Sequence, residues 1–123
     1  MNLILIKSIK NFSLGLKSVE KTALKILKKK NVTNSILEIE IVGRKKIQSL
    51  NHKFQKKNCP TDVLSFPLSR DQQNGDQPRL LGNIFLYSDI IKKNARQSNK
   101  SFEEEFEFIL AHGINHLLGV HHK

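Results

Sequence analysis

The 123-residue chain contains a single cysteine, Cys59. No intrachain disulfide can form, and a reducing cytoplasm is the expected setting. Long apolar runs are missing too. The opening MNLILIK has four apolar residues bounded by Asn2 and Lys7, whereas a signal-peptide core takes roughly seven or more. No run approaches the roughly 18 apolar residues of a membrane span. Neither secretion nor membrane insertion is therefore expected. Internal repeats, low-complexity tracts and interdomain linkers are absent. Residues 1–123 thus read as one domain, long enough to build a core without disulfides. Acidic residues are few: 11 Asp and Glu stand against 21 Lys and Arg, a net charge of +10. That excess points to a polyanionic partner, and nucleic acid is the commonest one. Much of it is lysine in a chain rich in Asn and Ile, as AT-rich genomes produce, so charge speaks to partners and not to fold.

What is present is clear hydrophobic patterning. LILIKSIKNF opens as a strand. Leu16, Val19, Ala23, Ile26 and Leu27 recur at helical spacing, which predicts an amphipathic helix over about 16–30 with Asn31 as its stop. SILEIEIVG alternates as a half-buried strand closed by Gly43. RKKIQSLNHKF returns to helix, with Ile47, Leu50 and Phe54 three and four apart. Pro60 disfavours helix at Cys59, and Val63 to Phe66 is β-prone. LSRDQQNGDQPR is a polar loop with a turn at Asn74-Gly75. LLGNIFLY reads as a buried strand. Ser88 or Asp89 can cap a short helix through about Arg96. Ser101 and Glu104 form a capping-box pattern for a last helix that runs to Leu118, with Gly119 as a left-handed stop. The order defines an α/β (α+β) fold, a single mixed sheet of about four strands packed with about four to five helices.

The chemistry gathers at the C-terminus, in AHGINHLLGVHHK. His112 and His116 are one helical turn apart and share a face. Gly119 then lets the chain turn back, so that His122 can supply a third imidazole. Three neutral imidazoles suit Zn2+ and leave a position open. His121 competes with His122 for that place or acts as its neighbour. The spacing matches H-x-x-x-H-x-x-G-x-x-H of the metzincin proteases, but the residue after the first histidine is Gly113 where they carry the glutamate base. Gly113 therefore argues against peptide cleavage and leaves room for another substrate. Glu105, seven residues before His112, falls on nearly the same face. It is either a partner of the metal ligands or a carboxylate suited to the helix dipole. Cys59 as a fourth ligand weighs less than an incidental loop thiol.

Two stretches, Pro60-Thr61-Asp62-Val63-Leu64-Ser65-Phe66-Pro67 and HGINHLLGVHH, resemble the YbeY family of small bacterial metal-dependent endoribonucleases. LLGNIFL resembles that family's LGDI strand. The resemblance implies His112, His116 and His122 as ligands of one Zn2+, a metal site at the C-terminal helix, and a cleft beside the TDVLSFP strand. Ser65, Glu105 and His121 become candidates for contacts behind the ligands. It further implies cleavage of single-stranded RNA, without a role for DNA, in maturation of the 16S rRNA 3′ end and in ribosome quality control, with the small ribosomal subunit as partner. Three positions depart. Val120-His121 replaces Tyr-Asp, Asn83 replaces an aspartate, and Phe54-Gln55 replaces a Tyr-Arg pair. Gln55 has neither the charge nor the bidentate fork of arginine, which leaves Lys53, Lys56 and Lys57 to meet phosphate. Two other readings compete: a ribosome-associated RNA-binding factor with a structural zinc, favoured by Gln55 and Asn83, and another zinc hydrolase.

Overall fold

The computed structural model describes residues 1–68 and 77–119. The turn expected at Asn74-Gly75 lies outside them, as do His121 and His122. Along the chain run β1 (Asn2–Ser8), α1 (Leu16–Lys29), β2 (Ser35–Val42), α2 (Arg44–Gln55), β3 (Val63–Pro67), β4 (Arg79–Tyr87), α3 (Ser88–Gln97) and α4 (Phe102–Leu117). The strands form one mixed sheet in the order β1-β2-β4-β3, parallel except for β3, which runs antiparallel to β4 at the edge. This is the expected element order and fold class.

Local chemistry explains most of these elements. In α1, Val19, Ala23 and Leu27 recur every fourth residue and all are buried, so one stripe of the helix faces the sheet. Asn31 then adopts φ 60°, a left-handed conformation that Asn tolerates better than most residues. In β2, Leu37, Ile39 and Ile41 are buried and Glu38 is exposed, the two-residue period of a strand covered on one face. The α4 capping box forms: the Ser101 hydroxyl accepts from the Glu104 N–H at 3.0 Å, and the Glu104 carboxylate accepts from the Ser101 N–H at 3.1 Å. Gly119 follows α4 with φ 80°. One expected cap does not form. Tyr87 is the α3 N-cap and no side chain caps that helix; Asp89 instead accepts from the Tyr87 hydroxyl at 3.3 Å.

Two cores lie on the two sides of the sheet. The larger joins α1, α3 and α4 to the inward residues of β1, β2 and β4, with Leu27, Leu37, Ile84, Phe106, Leu110 and Ile114 among its fully buried members. The smaller holds Val42, Ile47, Leu64 and Tyr87 beneath α2. Helix α2 covers only one end of that second face. Elsewhere Leu3 and Leu5 are exposed, and a depression of 480 Å³ runs past Lys7, Glu38, Glu40, Asn83 and Phe85.

The join between β4 and its neighbours is tight. The β2–β4 register skips Leu81, pairing Leu80 with Ile36 and Gly82 with Leu37. Gly82 holds φ 135°, and a Cβ there would strike the Phe66 carbonyl oxygen. Only glycine accommodates both that backbone angle and that approach.

Candidate active site

Helix α4 lies over β3 and β4. Helix and sheet are tightly apposed at Gly113, where an added Cβ would meet Ser65 Oγ at 3.1 Å and Ile84 Cγ2 at 3.2 Å. The Ser65 hydroxyl donates to the Gly113 carbonyl at 3.3 Å. Gly113 is thus open toward the sheet, and the space it leaves is taken by β3 and β4. This corrects the expectation that it makes room for substrate. Any side chain at this position would bring its Cβ within 3.1–3.3 Å of Ser65 and Ile84. Ser65 is placed as a support, since it ties β3 to the helical turn that carries His112 and His116.

Both histidines are exposed on α4. Their direction follows from the helix period. Glu107 faces α1, where its carboxylate accepts from Thr22 at 3.5 Å. His116 is nine residues later, about 180° around the helix. Helix α1 packs on β1, at the opposite end of the sheet, so the pair lies on the side of α4 turned away from α1. The i, i+4 spacing and this exposure fit two ligands of a metal ion. Among the described residues no third His, Cys, Asp or Glu joins them. The third expected ligand, His122, and its rival His121 fall outside those residues. Beside His112 an open depression of 350 Å³ has Phe108, Ala111 and Asn115 as its other described lining.

Glu105 is only 7% exposed. It lies on the histidine stripe, but about 10 Å along the axis from His112. Its place in the first turn of α4 fits the helix-dipole reading. Asn83 pairs with Phe66 of β3 and Glu38 of β2. It points to the uncovered face, away from α4. Its departure from aspartate therefore does not touch the histidines.

The candidate phosphate-binding residues collect at the other side of β3. Lys53 and Gln55 are in the last turn of α2, and Lys56 ends it in the left-handed region at φ 58°. Asn51, buried within α2, donates through Nδ2 to the Cys59 carbonyl at 2.9 Å. Lys57 N–H donates to the Asn51 carbonyl at 3.3 Å, and Tyr87 N–H to the Asp62 carbonyl at 2.9 Å. These bonds hold the loop that carries the lysines into β3. Sequence reasoning passed over Asn51, because a polar residue in a helix gives no sign of what it will meet. Phe54 departs from its apolar pattern: it is 51% exposed, since α2 runs past the end of the small core. Lys53, Gln55, Lys56 and Lys57 are all exposed.

Sheet order, edge strand and helix placement define an α+β fold with one mixed four-stranded sheet. The solution structure of a Thermotoga maritima protein shares it, with a TM-score of 0.64 and 31% identity over 98% of this chain and 75% of that one. The family model described as Endoribonuclease YbeY matches residues 6–123, and the chain belongs to that family. It is 33% identical to the Endoribonuclease YbeY of Syntrophotalea carbinolica over 93% of this chain and 76% of that protein. It is 42% identical to that of Wigglesworthia glossinidia brevipalpis over 72% of this chain and 57% of that protein. The chain thus spans between about half and three quarters of the curated relatives it matches.

Proposed function

We propose that this protein is a zinc-dependent endoribonuclease that cleaves single-stranded RNA. Its expected setting is the cytoplasm and its expected task the maturation of the 16S rRNA 3′ end and ribosome quality control, in contact with the small subunit. Family membership supports the reaction class. The observation that supports it is that β3 is touched from both sides: Ser65 binds the α4 turn between the exposed His112 and His116, and Phe66 packs on Phe54 of α2, next to the exposed Lys53, Lys56 and Lys57.

A Zn2+ held by His112, His116 and His122 would supply Lewis acidity at a phosphate. The protein's own groups then have separate tasks. Lys53, Lys56 and Lys57 offset the negative charge that grows on the phosphate oxygens. Gln55 donates a neutral hydrogen bond where charge and a fork are lacking. Ser65 keeps β3 against the ligand-bearing turn. RNA brings its own 2′-hydroxyl as a nucleophile, so the absence of a glutamate after His112 costs less here than in proteolysis. The reading of a structural zinc loses one of its supports, because Asn83 faces away from the histidines.

Incubation of purified, untagged protein with a single-stranded RNA, with and without chelator, tests the proposal. Cleavage should require the metal and vanish in His112→Ala. Cleavage unchanged in His112→Ala would overturn it. Metal analysis should return about one zinc per chain, and less than about half an equivalent would count against the site. Gln55→Arg should raise cleavage.

A further inference from the structure

Phe54 is out of place as a core residue. It is half exposed at the end of α2, yet its ring is held. Phe66 of β3 lies 4.8 Å away, centroid to centroid, at a tilt of 57°. Phe66 in turn meets Phe85 of β4 at 5.7 Å, edge to face. Phe66 and Phe85 are half-buried against the small core, so the three rings make a short aromatic row of which Phe54 is the exposed end. Lys53 Nζ stands 5.3 Å from the Phe54 centroid. At the far end Lys46 stands 5.8 Å from Phe85, but its ammonium is already paired with Glu40 at 2.6 Å. Lys53, Lys56 and Lys57 have no ion pair among the described residues, and α2 contains no acidic residue.

An exposed ring backed by two others, with Lys53 beside it and further lysines following in sequence, is what sequence-tolerant binding of a single strand requires: a ring for the base and cations for its phosphates. Side chains on a strand alternate between faces. Phe66 therefore faces the row, while adjacent Ser65 touches the α4 turn of His112 and His116. The two halves are separated only by the edge strand.

We infer that Phe54, backed by Phe66, is a base-stacking platform for single-stranded RNA, and that the RNA crosses the β3 edge with a base on Phe54 and a neighbouring phosphate toward the histidines. Lys53 yields the ring face to the base and takes up the flanking phosphate. The inference rests on the function proposed above, since it locates the substrate of that same site. Gln55 is then less of a deficit, because stacking supplies grip that does not depend on a phosphate fork.

The test is binding of a short cleavage-resistant 2′-O-methyl RNA, read by fluorescence anisotropy. One abasic position is moved along the oligonucleotide. Phe54→Leu keeps the apolar cover and removes the π face; Phe54→Tyr keeps both. Phe54→Leu should weaken binding about tenfold with an unchanged salt slope, and Phe54→Tyr should bind like wild type. An abasic site at one position should weaken wild type by a similar factor and Phe54→Leu no further. Lys53→Gln should instead lower the salt slope by about one. Wild-type affinity in Phe54→Leu, with no sensitivity to any abasic position, overturns the platform even where ordinary RNA is cleaved. Abasic-sensitive binding by a protein that cleaves no RNA overturns the proposed function and leaves the platform standing. Absence of RNA binding by wild type overturns both.

Discussion

Replacement of Gly113 by alanine measures how closely α4 is seated on the sheet. In an exposed helix interior this change stabilises by about 1 kcal/mol, because glycine has the larger backbone entropy to lose. Here the new methyl would meet Ser65 Oγ at 3.1 Å and the Ile84 side chain at 3.2 and 3.3 Å. All three distances lie inside the ~3.5–4.0 Å optimum for such contacts. The serine hydroxyl can rotate away. Ile84 is 0% exposed and has nowhere to go. Overpacking of this kind costs about 1–3 kcal/mol, so the net expectation is a loss of about 1 kcal/mol, within a range of about 0–2. Urea unfolding should show a lower midpoint at constant slope. Adding Ser65→Ala removes the nearest atom and should recover part of the loss. Gly113 lies between the two histidines, so the shifted helix should also hold zinc less tightly. A gain of about 1 kcal/mol in Gly113→Ala, as for a free helix, would refute the seating of α4 on β3. It would also reopen the view that this glycine faces the substrate.

Four further substitutions have outcomes that follow from local geometry. Gly82→Ala should cost about 3 kcal/mol or more, since it combines a glycine-only backbone angle with a collision against the Phe66 carbonyl; thermal unfolding reads it, and a near-neutral effect would contradict the bulge. Lys56→Gly should stabilise the fold by about 1 kcal/mol, by relieving a left-handed lysine, while weakening RNA binding; parallel melting and binding curves should move in opposite senses. Ser101→Ala should cost about 1 kcal/mol through loss of the α4 cap. The Glu104 carboxyl is held below its usual range by the Ser101 backbone N–H and then by the Ser101 side chain. A depressed carboxyl pKa adds stability above its unfolded value, about 4.3, and that stability is lost as pH falls through the folded value. Glu104→Gln should therefore flatten the acid limb of a stability–pH curve and leave neutral pH little changed in slope.

Much of this protein is decided within a few residues along the chain. The strand and helix order follows from periods of two and 3.6. The Ser101–Glu104 box and the Gly119 turn are local geometry, and so is the shared face of His112 and His116. Each of these was legible because both partners sit within about one helical turn. The tertiary structure decided whatever depends on which segments become neighbours. Local composition marked β4 as buried and β3 as β-prone, but not that α4 would press Gly113 onto Ser65 and Ile84. It placed Phe54 on an apolar stripe, but not beyond the reach of the small core. It could not say that Asn83 faces away from the histidines, because that depends on strand pairing between residues tens of positions apart. Side-chain order along a chain determines which faces exist. Only packing determines what each face meets: it set Ser65 of β3 against the turn between the two histidines and Phe66 of the same strand against Phe54.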